Sequence, residues 1–363
     1  MTAGTLIIRA DASIAIGTGH VMRCLALAQA WRDSGGNAVF AMAESTAATD
    51  ERLRSEEMEI AALPASPNTL RDARHTAALA RDRDAAWVIV DGYQFDAEYQ
   101  INIKKAGLKL LLVDDTGQCE QYFADLVLNQ NVGASEEMYQ NLGSRTRLLL
   151  GSHYALLRRE FQAWYGRKRE VTSVGHKVLI AMGGSDAENV TLRVIDALRI
   201  VGVEGLEAVA AVGGSNPHWE SLQQAASQFP GKLQLRRDVC NMPELMAWAD
   251  VAISAGGGTC YELALLQVPM LLITVAENQE HTCRALAGHG AAIDLGWFHS
   301  LDANRLTKFL QDVIVNCDLR HSLIENARSL VDGNGAQRVM DILLRDSSGQ
   351  DESVVSKLQV SVE

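Results

Sequence analysis

Short, almost wholly apolar runs recur along the chain, each ending in a polar side chain or a glycine, and helix-like stretches separate them. Residues 6–11, 37–43, 87–91, 109–113, 126–129 and 147–150 form one series; residues 177–182, 207–212, 233–235, 251–254 and 269–274 form another. A strand that is apolar on both faces belongs in a parallel sheet covered by helices on both sides. The chain therefore reads as α/β, with two βα units in tandem. At 363 residues it exceeds one comfortable core, so two domains are expected. The basic, turn-prone stretch 166–175 is the natural linker. It divides an N-terminal domain, 1–165, from a C-terminal domain, 175–345, and leaves 346–363 as a polar, flexible tail. No short-period repeat is evident, which excludes a solenoid.

In open α/β sheets, ligands bind at the carboxyl ends of the strands, where the strand order reverses. Asp11, His20, Asp91, Tyr93, Asp114 and Asn131 all fall at such ends. His20 follows the turn Gly17-Thr18-Gly19 and opens a helix whose apolar positions are Val21, Cys24, Leu25, Ala28 and Trp31. A helix N-terminus favours an anion, so a base would stand there beside an anionic group. The alternative is a helix-capping or surface histidine.

A second constellation lies in the other half. Gly256-Gly257-Gly258-Thr259 opens a helix after a buried strand, the arrangement that holds a phosphate on backbone N–H groups. Glu262, one turn later, can accept hydrogen bonds from both hydroxyls of a ribose. Gly183-Gly184-Ser185 is a similar loop, and Asn278-Gln279 places two amides at a third strand end. Neither a Walker sequence nor the full dinucleotide fingerprint is present, which argues against a nucleoside triphosphatase and a dehydrogenase.

The net charge of −12 argues against nucleic acid as a partner. Six cysteines are scattered singly, with no metal-type cluster. Asp114-Asp115 could suggest a metal pair, but adjacent side chains on an extended chain point to opposite faces. No metal and no cofactor are expected. The longest apolar run, 268–276, is too short to span a bilayer, and Arg9 with Asp11 interrupts any leader-like core. The expectation is a cytoplasmic protein without membrane insertion; the sequence does not fix its oligomeric state.

The segments 8–11 and 16–28, with 113–115, 128–131, 154–158, 182–186 and 254–262, resemble the UDP-2,4-diacetamido-2,4,6-trideoxy-β-L-altropyranose hydrolases of pseudaminic acid biosynthesis. That family is similar to the two-domain, B-type glycosyltransferases (GT-B), including MurG. Asp91-Gly92-Tyr93 and Asn129-Gln130-Asn131 depart from its usual Asp-His-Tyr and Asp-Gln-Asn. The resemblance implies two Rossmann-like domains facing a cleft, with the nucleotide on the C-terminal one. His20 would be the catalytic base. Asp11, Gly17, Gly19, Arg23, Tyr93, Asn131, Asn278 and Gln279 would contact the sugar and diphosphate. Gly183, Gly184, Ser185, Gly257, Gly258, Thr259 and Glu262 would hold the nucleotide.

The implied reaction is hydrolysis of a UDP-linked sugar with inversion, the helix ends near Ser185 and Thr259 taking up the diphosphate's charge. One alternative is a glycosyltransferase on the same fold, in which His20 activates an acceptor hydroxyl. Another is a non-catalytic nucleotide-sugar sensor.

Overall fold

Seven parallel strands make the first sheet of the computed structural model, which describes residues 3–13 and 16–347. They are β1 (Thr5–Ala10), β2 (Asn37–Met42), β3 (Glu59–Ala62), β4 (Ala85–Asp91), β5 (Leu110–Val113), β6 (Leu126–Asn129) and β7 (Arg147–Leu150), in spatial order 3-2-1-4-5-6-7. The second sheet holds β8 (Lys177–Ala181), β9 (Glu207–Val212), β10 (Lys232–Arg237), β11 (Val251–Ala255), β12 (Met270–Thr274) and β13 (Ile293–Trp297), in order 10-9-8-11-12-13. Each order reverses once, between β1 and β4 and between β8 and β11, and those two crevices are where loops can gather around a ligand.

Burial explains the apolar runs. Ile8 and Ile89 pack on one face of the first sheet, beneath the helix Gly19–Asp33, while Ile7 and Val88 pack on the other. Successive side chains alternate between faces, and both faces are covered, so the polar residues of these strands gather toward their ends, where the buried Arg9 of β1 is paired with Asp11 and Asp72. The second sheet repeats this with Ile180 and Ile253 on one face and Leu179 and Ala252 on the other.

Four elements escape the sequence reading. β3 is a four-residue edge strand that is never fully buried. β13 carries Asp294 and Gly296 and pairs with a register shift. The helix Glu277–Gly288 begins with six polar residues and buries only Thr282, Cys283 and Leu286. The helix Ala303–Val315 does carry a helical stripe, Leu306, Leu310, Val313 and Ile314.

The helix Gly335–Ser347 differs from expectation in its placement. Chain order places it in the second domain, yet Ala336, Val339, Met340 and Leu343 pack into the core of the first, beside the helix Gly19–Asp33. Trp87 Nε1 in β4 donates to the Leu343 carbonyl at 3.0 Å. Residues 348–363, most of the expected tail, lie outside the described residues. Among the described residues no helix is long and apolar enough to cross a membrane.

Candidate active site

A cavity of about 1450 Å³ lies between the carboxyl ends of the two sheets. Gly17, Gly19, His20, Arg23, Tyr93 and Asn131 line it from the first domain; Gly183, Gly184, Ser185, Gly257, Gly258, Thr259, Glu262, Asn278 and Gln279 line it from the second. The two walls come close together: a Cβ on Gly184 would stand 3.2 Å from Thr18 Oγ1.

His20 is only 7% exposed. Because β1 and β4 are neighbours, with Ala10 opposite Asp91, the helix that follows β1 starts beside the last residue of β4. His20 Nδ1 stands 2.7 Å from Asp91 Oδ1. Arg23, three residues on and so on the same helix face, grips the same carboxylate: Nε donates to Oδ2 at 2.7 Å and Nη2 to Oδ1 at 2.6 Å. Its Nη1 donates to Asp115 Oδ2 at 2.7 Å. Burial pushes the Asp91 carboxyl up, but Arg23 and then His20 more than reverse this and hold it well below the usual carboxylate range. An ionised carboxylate only accepts hydrogen bonds. Nδ1 therefore carries the ring proton, and Nε2 keeps a lone pair. Arg23 Nη2, 3.2 Å from Nδ1, is then a second donor sharing the same Asp91 oxygen.

The Tyr93 ring meets the imidazole edge-on, with centroids 4.9 Å apart. Its hydroxyl stands 3.3 Å from Asp115 Oδ2 and receives a 2.7 Å hydrogen bond from Asn278 Nδ2 of the other domain. That bond crosses the cleft.

In the second domain, the loops after β8 and β11 flank the crevice. A Cβ on Gly213, in the loop after β9, would lie 2.0 Å from the Gly184 carbonyl oxygen, so only glycine lets the loops after β8 and β9 touch. A Cβ at Gly257 or Gly258 would meet nothing within 4 Å; this loop presents bare backbone to the cavity. The helix Thr259–Leu265 that follows has no side-chain cap. The helix Val190–Val201 is different: Asp186 accepts from Val190 N at 2.8 Å and Thr191 N at 3.1 Å. A carboxylate already neutralises that end, contrary to the expectation that the helix start near Ser185 takes up ligand charge.

Glu262 is reached by Arg158, whose Nη2 donates to Oε1 at 2.8 Å. Burial raises the Glu262 carboxyl above its ordinary value, and Arg158 offsets part of the rise. Gln279 Oε1 accepts from both Gly256 N and Val275 N at 3.2 Å, tying two loops together.

Asp11 departs from its expected role. It is 2% exposed and does not line the cavity. Its Oδ1 accepts from Arg9 Nη1 at 2.6 Å, Ala43 N at 2.8 Å and Glu44 N at 3.1 Å, so it fixes the end of β2 rather than facing a ligand. Asn131 lines the cavity but also accepts from Tyr261 at 3.1 Å, a tie between domains. Asp114 and Asp115 diverge as extended-chain geometry requires. Asp114 accepts from Thr116 N, Gly117 N and Tyr122 Oη, while Asp115 faces the cleft. The sequence gives Asp91, Asp115 and Arg158 no role at the site, although Asp91 falls at a strand end and Asp115 and Arg158 close the matched stretches 113–115 and 154–158. The first two lie at or just past strand ends, a usable signal; Arg158 lies in an irregular segment with no such signal.

Residues 177–322 match the Glycosyltransferase family 28 C-terminal domain. A spore coat polysaccharide biosynthesis protein of Bacillus subtilis, SpsG, is 29% identical over 65% of this chain and 69% of its own length. The UDP-2,4-diacetamido-2,4,6-trideoxy-β-L-altropyranose hydrolase of Campylobacter jejuni is 26% identical over 80% of this chain and 98% of its own. Among solved structures, MurG of Acinetobacter baumannii superposes with a TM-score of 0.66 at 17% identity, covering 94% of this chain and 99% of its own. The fold is thus the two-domain GT-B fold of MurG-like glycosyltransferases.

Proposed function

We propose that the chain is a metal-independent, inverting hydrolase of a UDP-linked diacetamido-trideoxy hexose, releasing UDP and the free sugar for nonulosonic acid synthesis. The observation that carries this reading is the His20–Asp91 pair at the cleft, with Nδ1 donating to an ionised carboxylate and Nε2 left to accept a proton. In the reaction, Nε2 takes a proton from water as the water oxygen attacks the anomeric carbon. The bond from that carbon to the UDP oxygen breaks, its electron pair leaves on the diphosphate, and the anomeric centre inverts. Asp91 stabilises the imidazolium formed in the transition state. An ordinary glycosidase needs a carboxylic acid to protonate a poor leaving group; a diphosphate leaves without one, and the uncapped helix start at Thr259 with its glycine loop offsets the developing charge. Glu262 holds the ribose. The similarity to the C. jejuni hydrolase supports the sugar class.

Proton and phosphorus NMR of the protein with a panel of UDP-sugars tests the reading. UDP and one anomer of the free sugar should form without any acceptor, and ¹⁸O from labelled water should enter the sugar and not the UDP. His20→Ala should lower the rate about 10²- to 10⁴-fold with UDP affinity nearly intact; an unchanged rate refutes the assignment.

A transferase is the second reading. The cleft continues past His20 along the helix Ala47–Ser55, where Ala48, Arg52 and Ser55 line it, which leaves room for an acceptor. UDP release that depends strictly on an added acceptor would favour it.

A further inference from the structure

One atom in the cleft has no partner. Asp115 Oδ2 is held by Arg23 and Tyr93, but Asp115 Oδ1 is buried and has no hydrogen-bond partner among the described residues. The side chain is 7% exposed and lines the cavity. A buried polar atom left unmade costs free energy comparable to a lost hydrogen bond, and this one is fixed in direction because Arg23 pins the other oxygen. Arg23 in turn anchors the carboxylate that orients His20, so the vacant acceptor belongs to the same rigid cluster as the proposed base.

We infer that Asp115 Oδ1 is a sugar-recognition atom: it accepts a hydrogen bond from an O–H or N–H group on the hexose of a bound nucleotide sugar. This rests on the reading that the cleft takes such a ligand. It does not depend on whether the sugar then goes to water or to an acceptor. The ligand class follows from the chemistry of the atom. A carboxylate oxygen takes donors only, so a hydroxyl or acetamido N–H fits it and a carbonyl oxygen does not. Tyr93 stands on the other oxygen: its hydroxyl donates to Oδ2 at 3.3 Å and receives a 2.7 Å bond from Asn278 across the cleft, which leaves Oδ1 as the oxygen that can accept from the hexose.

The test compares binding of UDP, UDP-glucose and UDP-N-acetylglucosamine to the full chain and to Asp115→Asn, by calorimetric titration. Asparagine keeps the size of the side chain. Arg23 will draw the amide oxygen to itself, which leaves the NH₂ where Oδ1 was and sets donor against donor. The affinity that at least one hexose adds over UDP alone should fall about 10-fold or more, while UDP affinity stays within about 2-fold. Asp115→Ala should lose the same sugar increment.

Sugar binding by Asp115→Asn as tight as by the parent overturns the inference, since the facing group is then an acceptor or a water. So does the absence of any hexose increment in the parent protein. Failure of the parent to bind UDP at all would overturn the nucleotide-sugar reading itself, which separates the two.

Discussion

Asp91 shows how one side chain can set the chemistry of another. His20 alone could carry its proton on either nitrogen; the ionised carboxylate 2.7 Å from Nδ1 leaves one choice. Asp91→Asn should undo this. Arg23 will claim the amide oxygen and turn the NH₂ toward His20, which moves the ring proton to Nε2 and removes the base. A drop in kcat of about 10²-fold or more with unchanged UDP affinity is the expected outcome, measured by steady-state kinetics beside a UDP titration. In the parent protein Arg23 and then His20 hold the Asp91 carboxyl well below the usual carboxylate range, so it stays ionised across the neutral range.

Among elements, the segment between β7 and β8 matters most for the proposed nucleotide side, because Arg158 reaches from it to Glu262. Arg158→Ala leaves a carboxylate only 13% exposed without its cation, a loss of about 3 kcal/mol for a buried pair. The loss should depend on pH. Burial already raises the Glu262 pKa, and without Arg158 it rises further. A group whose folded pKa is raised gives its full stability below the unfolded value and loses it as pH rises through the folded one. Urea titrations should therefore find the variant closer to the parent at pH 5 than at pH 8. At the opposite loop, Asp186→Ala removes the cap of the helix Val190–Val201 and should cost about 1 kcal/mol.

The sequence made some of this legible and hid the rest. Strands buried on both faces announce themselves as unbroken apolar runs, so β1, β4 and β11 and the residues at their ends were readable. The glycine loops were readable too, since backbone contact needs glycine. Asp11 misled because a strand-end aspartate looks the same whether it faces a ligand or, as here, an arginine two residues earlier in its own strand. The role of Arg158 is not legible, although it closes the matched stretch 154–158, because its partner is 104 residues away and its segment has no periodicity.

For the whole molecule, the helix Gly335–Ser347 is the element that joins the last residues described to the first sheet. Met340 and Leu343 are fully buried there, and Met340→Ala should destabilise the first domain by about 2–5 kcal/mol. Hydrogen exchange should show the change in β1 and β4 while UDP binding at the second domain persists. Uniform loss of protection across both sheets would contradict that assignment.

The same helix imposes an order of events on synthesis. The strands of the first sheet emerge early, but part of one covering layer, the helix that lies beside Gly19–Asp33, is encoded after the whole second sheet. A released chain truncated after residue 330 should hold a finished second domain and a first domain with a bare apolar flank. The first domain, though made first, is the last to close.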